Sequence, residues 1–143
     1  MEKNYDALKL AAQLCFPLYA CSRETIKLYK PCLDALGLTY TQYIAMLVLW
    51  EKQSVTVKEL GASLFLDSGT LTPLLKKLEA KGLLSRRRSC DDERSLIVSL
   101  TEEGEALREK AVEVPYQMAK CLCLEYDEAK ELYRLLYKML QHK

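Results

Sequence analysis

Ser54-Val-Thr-Val-Lys-Glu-Leu-Gly-Ala-Ser-Leu64, Phe65-Leu66 and Asp67-Ser-Gly-Thr-Leu-Thr-Pro-Leu-Leu-Lys-Lys-Leu-Glu79 together form the stretch that decides the fold. Thr56, followed three residues later by Glu59, fits a capping box at the start of a short helix ending near Leu64. Asp67 and Ser68 offer N-cap groups for a second helix. Pro73 is compatible with hydrogen bonding that begins only near Ser68 to Thr70. Leu71, Leu74, Leu75 and Leu78 recur at helical spacing, and Gly82 supplies the stop.

Two β-like segments come next, Leu83 to Arg88 and Arg94 to Leu100, joined by the polar turn Ser89-Cys-Asp-Asp-Glu93. Leu96, Val98 and Leu100 alternate with Ile97 and Ser99, as in a half-buried hairpin strand. Short helix, turn, helix, glycine and basic hairpin, in that order, describe a winged helix-turn-helix. The expected fold class is therefore mainly α with a small β-wing made of one strand pair.

Outward from this centre the periodicity is helical. A first helix is expected from about Tyr5 to Tyr29, with Leu8, Ala11, Ala12, Cys15, Leu18 and Ser22 on one face and a kink at Pro17. Pro31 and Gly37 punctuate a connection. A second helix then starts after Thr39 or Thr41 and carries Tyr43, Leu47 and Trp50. Thr101 caps a long acidic-start helix that Pro115 interrupts. A last helix runs from about Asp127 to Leu140 with Leu132, Leu135, Leu136 and Met139 on its buried side.

The 143 residues, half of them apolar and 29% charged, suit one domain with a real core. No apolar run approaches the ~20 residues that span a bilayer, and the acidic start reads as no secretory signal. Six irregularly spaced cysteines, at 15, 21, 32, 90, 121 and 123, then suggest reduced thiols in a cytoplasmic protein rather than a disulfide framework. No metal site and no cofactor is expected: His142 is the single histidine, and Cys121-Leu-Cys123 lacks a second ligand pair.

A net charge of +1 hides a strong asymmetry. Lys76, Lys77, Lys81, Arg86, Arg87, Arg88 and Arg94 crowd one stretch, and acids dominate the C-terminal remainder. A winged helix would place the Ser68 to Lys81 helix in the major groove of double-stranded DNA. Its apolar stripe faces the core, which leaves Ser68, Thr70, Thr72, Lys76 and Lys77 for the DNA. Arg94 would probe the minor groove, with Arg86 and Arg88 as phosphate or supporting contacts. Any single charge of this set could merely solvate a turn; the ordered combination is the specific signal.

Asp67 to Glu79, Gly82-Leu-Leu, Arg86, Asp91-Asp-Glu-Arg94 and Leu100-Thr-x-x-Gly104 resemble the MarR family, in which Asp92-Glu93-Arg94 matches a wing signature. That resemblance implies a homodimer on inverted-repeat operator DNA, with residues 1–38 and 102–143 as dimerisation helices around a reading unit at 39–101. Leu14-Cys-Phe-x-Leu-Tyr19, Ser22-Arg-Glu24, Tyr29-Lys-Pro31 and Leu38-Thr-Tyr-x-Gln-Tyr43 are similar to its organic hydroperoxide resistance branch. The resemblance implies a repressor, not an enzyme, whose Cys15 reacts with an organic hydroperoxide. Tyr29 and Tyr40 would hydrogen-bond the sulfur, and Tyr19 would lie nearby.

The residues add an independent constraint. Fourteen positions of continuous helix separate Cys15 from Tyr29 by about 21 Å, so contact requires a helix break or two first helices crossing at a two-fold axis. Phenol O–H donors would stabilise a thiolate, and its attack on a peroxide gives a sulfenic acid. Without the resemblance, Cys15 would pass for an inert core cysteine. The resemblance also implies, as in some members of that branch, a distant resolving cysteine near the C-terminal helices, for which Cys121 and Cys123 are the candidates. Two positions apart on a helix, they would point to roughly opposite sides. Cys121 is preferred, and if neither reaches Cys15 a small thiol caps the sulfenate. Cys21 and Cys32 read as packing residues. The competing readings are a MarR-type repressor released by a small aromatic ligand at the dimer interface, and a thiol peroxidase. No Cys-x-x-Cys or βαβ pattern supports the peroxidase.

Overall fold

The computed structural model describes residues 3–141, so His142 lies outside the described residues. Among these, seven α-helices and three strands succeed one another as α1 (Cys15–Asp34), α2 (Tyr40–Lys52), β1 (Ser54–Thr56), α3 (Val57–Leu64), α4 (Ser68–Ala80), β2 (Leu84–Arg88), β3 (Leu96–Leu100), α5 (Glu102–Ala111), α6 (Val114–Cys121) and α7 (Tyr126–Leu140). The sheet is antiparallel in the order β1-β3-β2, with both Val55 and Arg86 opposite Val98. The expected strand pair is thus three strands. Three residues of β1 are too few to show alternation in sequence.

Helix starts obey the capping chemistry. Thr39 with Gln42 and Thr56 with Glu59 form complete capping boxes, and the Asp67 and Thr101 side chains accept from the backbone N–H groups of Thr70 and Gly104. Gly82 ends α4 as expected: at φ +77° it lets Leu83 N–H reach Leu78 C=O and Gly82 N–H reach Glu79 C=O, a Schellman closure.

The first helix departs from expectation at both ends. It begins at Cys15, placing Pro17 in the first turn, where a missing N–H costs no hydrogen bond; the segment before it forms only two 3-10 turns. At the far end the helix continues through Pro31 to Asp34.

The core draws on residues between Leu33 and Met118. Met46, Leu49, Leu60, Leu71, Leu75, Leu78, Leu84 and Val98 are buried at its centre. The final helix contributes nothing: Leu132, Leu135 and Met139, expected on a buried side, are 43–49% exposed in the single chain. Phe16, Leu18, Ile26 and Leu28 of α1 are exposed as well. Leu47 of α2 is exposed, whereas Tyr43 and Trp50 are buried.

Gly104 fastens the wing to the helices. Its carbonyl accepts the Trp50 indole N–H at 2.8 Å, and a Cβ there would stand 2.7 Å from Leu100 Cδ1 and closer still to the Leu83 carbonyl oxygen. Backbone cannot move aside as a flexible side chain could. Gly104→Ala is therefore expected to destabilise the fold by about 3 kcal/mol. Urea unfolding followed by the fluorescence of Trp50, the chain's one tryptophan, should show a lower midpoint at unchanged slope.

Candidate functional site

The amphipathic pattern of α4 buries Leu71, Leu74, Leu75 and Leu78 and leaves Ser68, Thr70, Thr72, Lys76 and Lys77 exposed on the opposite side. The Asp67 carboxylate accepts the Thr70 N–H at 2.7 Å, a bond that holds its carboxyl below the usual range. Thr72 Oγ1 donates to the Ser68 carbonyl at 2.8 Å. Lys76 and Lys77 form no ion pair among the described residues, so a cationic pair faces solvent on the exposed side of the helix.

In the hairpin, the four side chains singled out in sequence divide into two roles. Arg86 is tied back to α4. Its Nη2 donates to Glu79 Oε1 at 3.0 Å while its amide donates to Glu79 Oε2 at 3.1 Å, and the guanidinium holds the Glu79 carboxyl below its usual range. Of the two roles expected for Arg86, this geometry serves the supporting one. Arg88 Nη1 donates to the Glu93 carbonyl at 2.9 Å, and Asp92 Oδ1 accepts the Arg94 amide at 3.0 Å, folding the tip. Arg94 itself is exposed at that tip, its guanidinium in no ion pair among the described residues.

The second cluster lies where α1 meets α2. Tyr29 and Tyr40 pack at a tilt of 58° with ring centroids 5.0 Å apart, and Tyr43 joins them at 5.8 and 6.4 Å. Burial, then the neighbouring phenol and the Cys32 thiol, raises Tyr29; burial raises Tyr40. Burial with the same neighbours pushes Tyr43 up to about 12. The three phenols therefore remain neutral hydrogen-bond donors at neutral pH. In sequence Tyr43 is legible only as a core residue; its membership of the cluster depends on how α1 crosses α2.

Cys15 is not in that cluster. It is exposed at the opposite end of an unbroken α1, about 21 Å along the axis from Tyr29. Tyr19, one turn on, accepts a hydrogen bond from Arg23 Nη1 at 3.1 Å. Cys32 is partly buried and donates to Gln117 Oε1 at 2.8 Å, joining α1 to α6. Cys21, expected to pack, is exposed in the protomer. Cys121 is the last residue of α6, and Cys123 sits two positions on in a left-handed conformation at φ +53°. Their expected placement on opposite helix faces fails because the helix stops between them.

One polar joint is only half legible in the sequence, through the Thr39/Gln42 capping box; its link to Lys81 has no signature there. Gln42 is buried; its Oε1 accepts the Thr39 amide at 3.1 Å and Lys81 Nζ at 3.0 Å, and Lys81 also donates to the Gly37 carbonyl. Lys81 is the C-cap of α4, so this joint links the tyrosine-bearing corner directly to the exposed basic helix.

Residues 27–111 match a family model described as transcriptional regulator SarA/Rot. The organic hydroperoxide resistance transcriptional regulator of Bacillus subtilis is 51% identical over 141 residues, covering 99% of this chain and 96% of its own. Reduced AbfR of Staphylococcus epidermidis bound to DNA is 39% identical with a TM-score of 0.79, over 96% of both chains. The disulfide form of AbfR aligns at a TM-score of 0.68 and 36% identity, over 96% of this chain and 93% of the other. The winged-helix geometry, the phenol cluster and identity over nearly the full length place the chain in the MarR family of transcriptional regulators, in its organic hydroperoxide resistance branch.

Proposed function

We propose that the chain is a homodimeric, cytoplasmic repressor that holds inverted-repeat operator DNA while Cys15 is reduced and releases it when an organic hydroperoxide oxidises Cys15. The observation that carries this reading is the separation of Cys15 from its hydrogen-bond donors. Tyr29 and Tyr40 sit together at one end of α1 and the thiol sits at the other, so a second chain is needed to complete the sensor. Crossing of two first helices about a two-fold axis brings each thiol to the other subunit's phenols. It also covers apolar side chains that α1 and α7 leave in water.

The chemistry is set by those groups. Neutral phenols donate to the thiolate and favour it. The thiolate sulfur attacks the peroxide, an alcohol departs, and the sulfur becomes a sulfenic acid. A protonated sulfenic acid is no longer an anion, so the phenols lose the charged acceptor that would hold α1 and the partner's α2 together. Cys121 is the resolving thiol in this reading, because it is fixed at the end of a helix.

On the output side, α4 enters the major groove, with Ser68, Thr70 and Thr72 near base edges or phosphates and Lys76 and Lys77 on phosphates. Arg94 reaches the minor groove; Arg86, Arg88 and Asp92 hold the wing in shape. The described conformation aligns better with the DNA-bound reduced relative than with the disulfide form, which supports a DNA-competent state. Redox chemistry need bias that state by only a few kcal/mol.

Fluorescence anisotropy with an operator duplex tests the scheme. Reduced wild type and Cys15→Ser should bind alike, and only the wild type should be released by an alkyl hydroperoxide; release of Cys15→Ser would sink the assignment. If a phenolic ligand released both proteins, the ligand-controlled reading would replace it. Tyr29→Phe removes one donor to a charged sulfur, worth about 1.5 kcal/mol, and should slow Cys15 oxidation about tenfold. Lys76→Ala should weaken binding to all sequences similarly and lower the salt-dependence slope by about one per subunit.

A further inference from the structure

Cys123 adopts a backbone conformation that non-glycine residues seldom take. Gln53 and Phe65 also have positive φ, and each closes a helix: their N–H groups bond to the carbonyls of Leu49 and Gly61. No backbone hydrogen bond among the described residues accompanies the turn at Cys123. The effect of the turn is to fold the thiol back over the end of α6, with its Sγ 3.7 Å from the Cys121 carbonyl oxygen. Both cysteines are exposed, and a single residue, Leu122, lies between them.

We propose that Cys121 and Cys123 form a dithiol that takes the oxidising equivalent from Cys15 and returns Cys15 to its thiol form. This rests on Cys15 being the peroxide-reactive thiol and Cys121 its resolving partner. The two subunits cooperate here for a geometric reason. Gln117, one turn before Cys121, is bonded to Cys32, so α6 lies against the Cys32 end of α1, far from that chain's own Cys15. The arrangement that brings a second chain's Cys15 to Tyr29 also brings it toward Cys121.

Each step balances in atoms and electrons. The Cys15 thiolate and a hydroperoxide ROOH, with one proton, give Cys15–SOH and ROH. The Cys121 thiol condenses with that sulfenic acid, forming Cys15–S–S–Cys121 and releasing water. The Cys123 thiolate then attacks the Cys121 sulfur. A Cys121–S–S–Cys123 bond forms, the bond to Cys15 breaks, and its electron pair leaves on the Cys15 sulfur as a thiolate. The net change is ROOH plus two thiols to ROH, water and one intrachain disulfide. Cys15 is then ready for another peroxide, and the phenols regain their acceptor. The stored disulfide, on an exposed turn, is left for a thiol reductant.

Reduced full-length protein treated with one equivalent of cumene hydroperoxide supplies the test, monitored over time by non-reducing gels and by mass spectrometry after thiol alkylation. In the wild type, a cross-linked dimer carrying the Cys15–Cys121 bond should appear first. It should then give way to monomer-sized chains with a Cys121–Cys123 bridge and an alkylatable Cys15, while operator binding returns. In Cys123→Ser, which should bind DNA normally when reduced, the cross-link should persist and binding should stay lost. A wild-type cross-link as persistent as that of Cys123→Ser overturns the exchange. A Cys121–Cys123 bridge forming equally fast in Cys15→Ser overturns the origin of the oxidising equivalent. If Cys15 stays alkylatable at all times and no cross-link forms in either protein, the underlying assignment of Cys15 falls, and the exchange with it.

Discussion

A straight helix cannot bring its own ends together, and the continuity of α1 is the constraint on which the rest of this molecule depends. Cys15 stands at its first position and Tyr29 about four turns later. Had Pro17 broken the helix, the chain could have folded Cys15 back onto its own phenols, and sensing would have needed one subunit. Because Pro17 falls in the first turn, the helix stays whole and the thiol is kept from its donors. In the proposed function the sensor is therefore an interface property, and any change at the thiol would act on how two chains are held.

The reading surface is joined to that interface by a short path. Tyr40 opens α2, Gln42 sits in the same first turn, and Gln42 accepts from Lys81 at the end of α4. Buried amides held by a capping box and a lysine tolerate little displacement without losing partners. A shift of α2 relative to the two-fold axis thus carries the C-terminal end of α4 with it. At the other edge, Arg86 ties α4 to β2 through Glu79. That contact couples the basic helix to the wing, which is what the proposed small rotation would need to misplace both at once.

Much of this is legible in the residues because it is local. The capping pairs Thr56/Glu59 and Asp67/Thr70, the leucine stripe of α4 and the stop at Gly82 are decided within a few positions, and each appears where its chemistry puts it. The illegible features depend on distant partners. β1 exists only because Val98 offers it a neighbour, the role of Arg86 is set by Glu79 across a turn, and Gln42 finds Lys81 from thirty-nine positions away. The start of α1 departs from its pattern for a different reason: Leu8, Ala11 and Ala12 carry helical spacing with nothing in the protomer to pack against. The resemblance named Cys15, Tyr29 and Tyr40, whereas the spacing of the first two left either a helix break or a second subunit, and the unbroken α1 removes the first option.

Magnitudes decide how such a dimer can switch. Leu132, Leu135, Leu136 and Met139 on α7, with Phe16 and Leu18 on α1, are incompletely buried in one chain. If covering each recovers only half of the ~2 kcal/mol that full burial of such a side chain gives, two chains gain on the order of 10 kcal/mol. Loss of a few phenol–sulfur hydrogen bonds, at about 1.5 kcal/mol or more each for a charged acceptor, cannot undo that. In the proposed scheme oxidation then chooses between two packed arrangements of the same dimer. The exposed apolar side chains of α1 and α7 would hold the two chains together, and the thiol would set the angle between their reading heads.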